Sequence, residues 1–335
     1  MIFVEIIYGY DYFLYEEDEA KMNILITGGA GFIGSHIVRK LLETGNTPIV
    51  LDNFSTSALE NIPTGVKYYR MDILDKTLQS VLKDEKIDAI VHLAGQTMVD
   101  YSLKHPFEDM MQNIEGMVNL LEAARITGVN RVVFSSTAAV YGDVNESDLP
   151  IRENHLLQPM SFYGLSKLTE EKYLEMYHKI FGVNYVILRF ANVYGERQGI
   201  KGEGGVISIF AKCFAENKDI TVFGDGKQTR DFIYAGDIAD GIYAALQTSN
   251  VNTVYNLSTQ IEVSLLGIIN TCSVILHKEI NPHFESERKG DIYRSMLCNR
   301  KAKEELFWTP KTNLVTGLER TLIYFLDDNA GALWR

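Results

Sequence analysis

The sequence predicts an α/β fold in which helices cover both faces of a doubly wound parallel sheet. Short apolar runs rich in β-branched residues alternate with longer segments whose apolar residues recur every three or four positions, as in successive β-α-β units. A glycine-rich turn joins the first apolar run to the first helical segment. The 335 residues, 46% hydrophobic and 23% charged, suffice for one large domain or two modest ones.

Six strand-like runs define the predicted sheet. They are NILIT (23–27), PIVLD (48–52), VKYYRM (66–71), DAIVHLA (88–94), RVVFSS (131–136) and NYVILRF (184–190). Helical periodicity is clearest over 106–127 and 161–181, on either side of the fifth run. Beyond about residue 192 the alternation gives way to glycine-rich and polar stretches, with helices expected near 206–217 and 237–247. We therefore expect a different organisation in the last third of the chain.

Charge and cysteine content narrow the class of protein. The formal net charge is −12, so the chain lacks the diffuse positive field that binds nucleic acid or an anionic membrane. It also lacks an apolar stretch of the roughly eighteen residues that a spanning helix needs. Cys213, Cys272 and Cys298 lie far apart and form no C-x-x-C pair, so we expect neither a disulfide framework nor a metal site. These features favour a cytoplasmic protein.

Residues 1–21 differ from the rest of the chain. They are rich in aromatic and acidic side chains and lack the basic start and small-residue cleavage site of a signal peptide. Met22 then precedes a well-defined strand. We expect residues 1–21 to be an upstream translational extension, and the alternative is an added edge element of the fold.

The glycine-rich turn follows the first predicted strand. Gly28, Gly31 and Gly34 have the spacing G-x-x-G-x-x-G, and together with Phe32 and Ile33 they open the following helix. Such a turn lets a pyrophosphate approach backbone N–H groups at a helix N-terminus. The same spacing also occurs in a plain strand-to-helix turn, so it predicts a dinucleotide site only together with a second feature.

Acidic residues after the next two strands supply that feature. Asp52 closes the second strand about twenty residues after the glycines, where a carboxylate accepts hydrogen bonds from an adenosine ribose. Because no lysine or arginine follows before Lys67, a 2′-phosphate would be repelled, which favours NAD over NADP. Asp72 follows the third strand and suits the adenine amino group, or is simply an acid at a helix start.

We expect an NAD-binding Rossmann domain over 22–191, a segment at about 229–257 that returns to it, and a smaller substrate-binding region over 192–228 and 258–335.

A tyrosine and a lysine lie one turn apart in the helical segment 161–181. Tyr163 and Lys167 are spaced i, i+4 and so share a helix face. A phenol with its ordinary pKa of about 10 is a poor base, but a neighbouring ammonium and a positive nicotinamide ring favour the phenolate. The cluster 135–137 offers a hydroxyl that could orient a substrate alcohol. Tyr-x-x-x-Lys also occurs by chance on solvated helices, and the upstream glycine turn is what favours a catalytic pair.

Eight motifs connect these features to a known family. In chain order they are TGGAGFIG (27–34), LDNFSTS (51–57), HLAG (92–95), SSTAAVYG (135–142), YGLSK (163–167), LRFANVYG (188–195), GDGKQTRDF (224–232) and ERKGD (287–291). Over roughly residues 22–327 the sequence resembles the extended short-chain dehydrogenases, and within them the nucleotide-sugar epimerases similar to UDP-glucose 4-epimerase and UDP-N-acetylglucosamine 4-epimerase. HLAG departs slightly from the more usual HLAA.

The resemblance implies a role for each matching residue. Tyr163 is implied as the catalytic base, Lys167 as its partner and ribose anchor, and Thr137 as the catalytic Ser/Thr position. Besides the glycine turn, Asp52 and this pair, NAD is implied to contact Asn53, Ser55, Thr56, Ser57, Asp72, Ile73, Leu93, Ala94, Gly95 and Ser135. The nucleotide sugar is implied to contact Thr137, Asn192, Val206, Phe223, Arg230, Arg288, Asp291 and Ser295. Guanidinium groups suit a diphosphate in an acidic protein, although either arginine could instead form a surface ion pair.

The residues after Thr137 indicate the reaction. Dehydratases of this family carry Asp-Glu beside the hydroxyl residue, and decarboxylating relatives carry a glutamate nearby, whereas this chain has Ala138 and Ala139. Alanine can neither give nor take a proton, so elimination lacks its acid and base. The resemblance therefore implies C4 epimerisation of a UDP-hexose through a transient 4-keto sugar, with NAD retained.

Ser295 bears on the choice of sugar. Relatives restricted to UDP-glucose and UDP-galactose carry a bulky tyrosine at this position, so a serine resembles members that also accept UDP-GlcNAc and UDP-GalNAc. The alternatives are a UDP-glucuronate 4-epimerase, another nucleotide-sugar oxidoreductase or dehydratase, and an NAD-binding regulatory protein without turnover. The family also implies a homodimer formed through helices 106–127 and 161–181.

Overall fold

The computed structural model describes residues 21–199, 204–287 and 292–327. In this part of the chain the strands are β1 (Asn23–Thr27), β2 (Thr47–Asp52), β3 (Lys67–Arg70), β4 (Ala89–His92), β5 (Val132–Thr137), β6 (Tyr185–Phe190), β7 (Asn192–Tyr194), β8 (Thr221–Phe223), β9 (Thr229–Tyr234), β10 (Thr253–Leu257), β11 (Glu262–Ser264) and β12 (His283–Glu285). The predicted extension lies outside the described residues except for Lys21.

Helices occupy most of the connections between strands. They are α1 (Phe32–Glu43), α2 (Leu78–Asp84), α3 (Val99–Lys104), α4 (Pro106–Met110), α5 (Gly116–Thr127), α6 (Phe162–Phe181), α7 (Val206–Ala215), α8 (Ala235–Gln247), α9 (Leu265–Leu276), α10 (Arg300–Glu305) and α11 (Leu314–Leu326). Among the described residues, none of these helices is long and apolar enough to cross a membrane.

A seven-stranded sheet forms the centre of the fold. Its strand order is β10-β6-β5-β4-β1-β2-β3, and every neighbouring pair is parallel. The six predicted strand runs correspond in order to β1–β6, so the predicted doubly wound α/β class is confirmed. The strand order reverses between β1 and β4, and in such sheets ligands bind beyond the carboxyl ends of the strands at this reversal.

Alternate residues of the central strands face opposite layers of helices. In β1, Ile24 and Ile26 pack in one buried cluster, which includes residues of α1 and α8. Leu25 packs in another cluster on the opposite face, with residues of α2, α5 and α6. This two-sided burial explains why the strands are almost continuously apolar. A separate cluster formed by β7–β9, α7, α9 and α11 is the core of the last third of the chain.

Two segments differ from the sequence-based expectation. The periodic segment 106–127 is not one regular helix, because a π-helical turn at Met111–Glu115 separates α4 from α5. Of the segment 229–257, β10 pairs with β6 in the main sheet, whereas β9 pairs with β7 and β11 in a three-stranded sheet. The spacing of apolar residues predicts neither the π-helical turn nor the division of strands between two sheets. Both depend on contacts with residues that are distant in sequence.

A buried ion pair fastens α6 to the sheet. Glu171 on α6 and Arg189 on β6 are 0% and 3% exposed, and two hydrogen bonds of 3.0 and 2.6 Å join the guanidinium to both carboxylate oxygens. Ser136 of β5 donates a third hydrogen bond to the same carboxylate at 2.5 Å. Arg189 also donates to the backbone oxygen of Glu153 at 3.0 Å. The pair therefore joins α6, β5 and β6 at one point.

Replacing Arg189 with leucine is expected to lower the free energy of unfolding by about 3–5 kcal/mol, because Glu171 would be left buried without its counter-charge. The double variant Glu171→Leu/Arg189→Leu removes both charges and is expected to lose less stability than the single variant. Urea denaturation followed by circular dichroism measures both. A double variant less stable than Arg189→Leu would contradict this account of the pair.

Candidate active site

A cleft of about 1090 Å³ opens beyond the carboxyl ends of the central strands, where the strand order reverses. Its walls come from the glycine turn, the loops after β2, β4 and β5, helix α6 and the start of the last third of the chain. The site predicted by the sheet topology and the largest group of sequence-predicted residues therefore coincide.

The glycine turn is shaped for close contact with a ligand. A Cβ at Gly34 would lie 2.1 Å from the carbonyl oxygen of Gly28, so only glycine lets the turn fold back onto the helix. Helix α1 begins after Gly31, and no side chain of the described residues caps it and no acid occupies its first turn. Its first N–H groups and the positive end of its dipole therefore face the cleft, which suits the pyrophosphate of a dinucleotide.

Asp52 lies in the cleft wall and also braces the glycine turn. The residue is 7% exposed, and its carboxylate accepts hydrogen bonds from the backbone N–H of Ala30 at 3.0 Å and of Phe54 at 2.8 Å. The hydroxyl of Ser57 donates to it at 2.7 Å. A carboxylate offers about four acceptor sites, so one remains for a ribose hydroxyl. This bracing contact between turn and loop is a role that the sequence motif did not reveal.

The cleft brings together nearly all the residues predicted to contact NAD. Those that line it are Gly28, Gly31, Phe32, Ile33, Gly34, Asp52, Asn53, Ser55, Thr56, Ser57, Ile73, Leu93, Ala94, Gly95, Ser135, Tyr163 and Lys167. Asp72 does not line the cleft. Its carboxylate accepts hydrogen bonds from the side-chain amide of Asn53 at 2.8 Å and from the backbone N–H of Leu74 at 2.9 Å, so it orients Asn53 instead.

The three predicted catalytic residues reach the cleft from two elements. Thr137 ends β5, and Tyr163 and Lys167 lie on the first turns of α6. The hydroxyl of Ser161 caps α6 by accepting a hydrogen bond from the N–H of Gly164 at 3.0 Å, which starts the helix just before the tyrosine. Lys167 is 3% exposed, and its Nζ lies 4.7 Å from the ring centroid of Phe134. The lysine therefore reaches the cleft from a largely buried position.

A polar network behind the cleft was missed by the sequence analysis. The side-chain oxygen of Asn113, in the π-helical turn, accepts a hydrogen bond from the N–H of Gln96 at 2.8 Å. The side-chain amide of Gln96 donates to Asp109 at 2.7 Å, and Ser166 of α6 donates to the same carboxylate at 2.5 Å. A Cβ at Gly95 would lie 2.6 Å from the Asn113 oxygen, which explains the glycine in HLAG. Gln96 follows β4, the strand next to the reversal of strand order, where ligands bind in sheets of this kind. This position could have identified Gln96 as a candidate site residue.

The residues predicted to contact the nucleotide sugar are more dispersed. Thr137 and Asn192 line the cleft, but Val206, Phe223, Arg230 and Ser295 are not among its lining residues. Arg288 and Asp291 lie outside the described residues. Thr229 and Arg294 form an isolated parallel β-bridge, so the backbone of Ser295 lies near that of Arg230. The guanidinium of Arg230 donates to the carbonyl of Thr229 at 2.8 Å.

The cleft is short of positive charge. Among the described residues that line it, Lys167 is the one cation, whereas Asp52, Asp100 and Glu108 are acidic. His92 lies beneath the cleft, where burial lowers its pKa and the neighbouring Glu170 acts in the opposite direction. The imidazole is therefore neutral at physiological pH. Within the described part of the cleft, the backbone N–H groups at the start of α1 are therefore the main donors available to anionic groups of a ligand.

Comparisons with known proteins agree with this geometry. Residues 24–258 match the model of the NAD dependent epimerase/dehydratase family. A UDP-glucose 4-epimerase of Mycolicibacterium smegmatis is 34% identical over 310 residues, which cover 91% of this chain and 98% of that protein.

Solved structures extend the similarity to the fold. UDP-glucose 4-epimerase from Thermotoga maritima, solved with UDP-glucose, has a TM-score of 0.88 and 37% identity, covering 92% of this chain and 100% of that one. UDP-N-acetylglucosamine 4-epimerase from Methanobrevibacter ruminantium, solved with UDP-N-acetylmuramic acid, has a TM-score of 0.87 and 30% identity, covering 92% and 99%. The family match spans the glycine turn, Thr137, Tyr163 and Lys167. This chain belongs to the NAD dependent epimerase/dehydratase family.

Proposed function

We propose that this protein interconverts the C4 epimers of a UDP-hexose whose sugar is uncharged. The observation that carries the proposal is the combination of Thr137, Tyr163 and Lys167 in one cleft with the glycine turn, while Ala138 and Ala139 follow the threonine. This set has a base for alcohol oxidation but no acid or base for elimination. The relatives named for UDP-glucose and UDP-N-acetylglucosamine 4-epimerisation support the same reaction class.

The residues present fit NAD. The uncapped N-terminus of α1 would hold the pyrophosphate, Asp52 the adenosine ribose, and Lys167 the ribose next to the nicotinamide. When bound, NAD supplies the hydride acceptor and donor that C4 oxidation and re-reduction require. Because Asp52 is acidic and the lining loop that follows it, residues 53–57, contains no lysine or arginine, NADP is the poorer fit.

The protein's own groups handle the proton. Tyr163 would take the proton of the C4 hydroxyl during oxidation and return it during re-reduction, with Thr137 orienting that hydroxyl. The ammonium of Lys167 would favour the phenolate form of the tyrosine. Binding energy must be concentrated on the UDP moiety, since the 4-keto sugar has to turn within the cleft before it is reduced on its other face.

The charge of the cleft supports an uncharged sugar over a uronic acid. A C6 carboxylate would enter a space where the described lining residues include Asp100 and Glu108 but no arginine. Like charges in a partly enclosed site repel one another, and none of the described lining residues supplies a compensating guanidinium. Among uncharged sugars, we include UDP-GlcNAc and UDP-GalNAc with UDP-glucose and UDP-galactose. This choice rests on the resemblance alone, in which Ser295 matches a position that is a bulky tyrosine in relatives restricted to the glucose pair, because Ser295 does not line the described cleft.

We also propose a homodimer formed through α4, α5 and α6. These helices expose large apolar side chains that the described chain leaves uncovered, including Phe107 at 68%, Ile126 at 57%, Met176 at 51% and Ile180 at 60%. Apolar surface of this kind on neighbouring helices is typical of a protein interface. A second copy of the chain would bury it by packing the helical segments 106–127 and 161–181 of one copy against the same two segments of the other.

The reaction is tested by NMR of purified protein incubated separately with UDP-glucose, UDP-GlcNAc and UDP-glucuronic acid. We expect the axial C4 epimer to form from one or both uncharged sugars. Tyr163→Phe removes only the phenolic oxygen and is expected to lower kcat by about 10²–10⁴-fold while NAD binding is preserved. Circular dichroism controls for folding.

Three results would contradict the proposal. A 4-keto-6-deoxy product would show that elimination occurs despite Ala138 and Ala139. Turnover of UDP-glucuronic acid alone would contradict the argument from cleft charge. Absence of turnover with NAD supplied would favour a binding protein without catalytic activity.

Ser295→Tyr tests the choice of sugar. The larger side chain is expected to lower kcat/KM for UDP-GlcNAc by about tenfold to a hundredfold and to leave UDP-glucose turnover nearly unchanged. Ser295→Ala adds no volume and serves as the matched control. Unchanged UDP-GlcNAc turnover in a folded Ser295→Tyr variant would refute the proposed role of this position.

Size-exclusion chromatography with light scattering tests the dimer. Met176→Glu/Ile180→Glu places two charges on the exposed face of α6 and is expected to convert a dimer to a monomer. Val274→Glu is the control, since Val274 is equally apolar and 71% exposed but lies on α9. A monomeric wild-type protein, or a charged variant that remains dimeric, would contradict the assignment.

A further inference from the structure

The catalytic lysine has a buried carboxyl neighbour that the proposed chemistry does not use. Glu170 follows Lys167 by three residues on α6, and its side chain is fully buried. One carboxyl oxygen lies 3.2 Å from Lys167 Nζ, and the other lies 3.7 Å from Nε2 of His92. Neither oxygen accepts an aligned hydrogen bond from the described residues. Glu170 therefore has an ionic contact with Lys167 and a longer polar contact with the neutral imidazole of His92.

The neighbouring Glu171 shows that a buried carboxylate in this helix can be fully hydrogen-bonded. Glu171 is equally buried, but it accepts three hydrogen bonds from Arg189 and Ser136. A buried carboxylate without aligned hydrogen bonds pays its desolvation penalty with little return in stability. Glu171 therefore explains the docking of α6, whereas Glu170 requires a different explanation.

The orientation of His92 points a donor at Glu170. The hydroxyl oxygen of Thr27 accepts from the backbone N–H groups of Leu93 and Ala94, both at 3.2 Å. Its own proton is then available for Nδ1 of His92, 2.7 Å away. A neutral imidazole that accepts at Nδ1 carries its proton on Nε2, which is the nitrogen that faces Glu170. The carboxylate therefore lies between an N–H dipole and an ammonium.

We propose that Glu170 is a positioning residue whose negative charge holds Lys167 in place as an ammonium and offsets part of its field at Tyr163. The inference rests on the proposed epimerase function, because it concerns the tyrosine and lysine of that reaction. A cation alone would favour the phenolate strongly and so weaken it as a base. The adjacent carboxylate moderates that effect and sets the pH range in which the pair works.

The burial of this group suits a reaction with no net change of protons. Thr27, His92 and Glu170 are each 0% exposed, so the chain of polar groups behind Lys167 ends inside the protein. A dehydrogenase with net turnover must pass the substrate proton to solvent, whereas an epimerase returns it to the same sugar. A fixed counter-charge that exchanges no proton with solvent fits the second case.

Few other ionisable groups face this cluster. His92 comes from β4, and Lys167 and Tyr163 lie on α6 itself. Asp109 of α4 is held by Ser166 and Gln96 beside the helix. Glu171 is committed to Arg189. Glu170 is therefore the negative charge in direct contact with Lys167 among the described residues.

Glu170→Gln tests the proposal, because it removes the charge and keeps the shape. Loss of a negative charge makes each neighbouring proton easier to release. We expect both limbs of the pH profile of kcat to move to lower pH, by about one unit on the alkaline side. Tyrosinate absorbance of the NAD-loaded protein provides a readout that needs no sugar. Since the chain contains 18 tyrosines, the signal of Tyr163 is isolated by subtracting the same titration of a Tyr163→Phe background.

Matched variants separate this role from a structural one. Glu170→Asp keeps the charge and is expected to restore the wild-type pH range, and Glu171→Gln is expected to lower Tm without moving either limb. If Glu170→Gln does not fold, Glu170→Leu provides the same test. The proposal would be overturned if wild type and Glu170→Gln had the same pH profile of kcat and the same tyrosinate titration. It would also be overturned if Glu171→Gln shifted the pH profile as much as Glu170→Gln does. Because the tyrosinate titration needs no turnover, it decides this point even if no UDP-hexose is epimerised.

Discussion

The ion pair between Glu171 and Arg189 is the interaction on which the rest of the site depends. Helix α6 must be buried against the sheet and also carry polar groups into the cleft, and an apolar contact face alone could not provide both. Tyr163, Lys167 and Glu171 occur at successive helical turns, so fixing one of them against β5 and β6 fixes the orientation of the others. The two hydrogen bonds of the guanidinium are directional, unlike apolar packing, and therefore define the rotation of the helix.

The glycine turn adds a second constraint at the opposite wall. A Cβ at Gly34 cannot be accommodated, and the hydrogen bond from Ala30 to Asp52 holds the turn against the loop after β2. The turn and α6 are thus each fixed to the sheet independently. Their relative position across the cleft is set by the strand order, with β4 and β5 lying between β1 and β6. This arrangement positions a ligand without requiring direct contact between the two walls.

Sequence patterns predicted the parts of the molecule that depend on local periodicity or short motifs. The six strands, the helix carrying Tyr163 and Lys167, and the glycine turn all belong to this class. The π-helical turn was not predictable from local periodicity. Asn113 within it accepts a hydrogen bond from the N–H of Gln96, which lies 17 residues earlier in the chain. The contact of Glu170 with His92 joins residues far apart in sequence, so no local pattern records it. Asp52 was identified as a ligand residue, but its second role in bracing Ala30 becomes visible only when the turn is folded.

The net charge of −12 and the proposed anionic ligand are compatible because the site separates two kinds of electrostatic interaction. The long-range field of an acidic surface is screened within about 10 Å at ordinary ionic strength. Inside the cleft, the phosphate groups of a bound dinucleotide would meet backbone N–H groups at the start of α1, whose dipole acts at short range and cannot be titrated. In the proposed mechanism, Lys167, the one lining cation of the described residues, would then act on Tyr163 instead of neutralising phosphate. A site rich in arginine would bind the same ligand more strongly, but it would also impose a larger positive field on the phenol of Tyr163. If backbone dipoles bind the phosphate groups and Lys167, compensated by Glu170, acts on the tyrosine as proposed, the two tasks are electrostatically independent among the described residues.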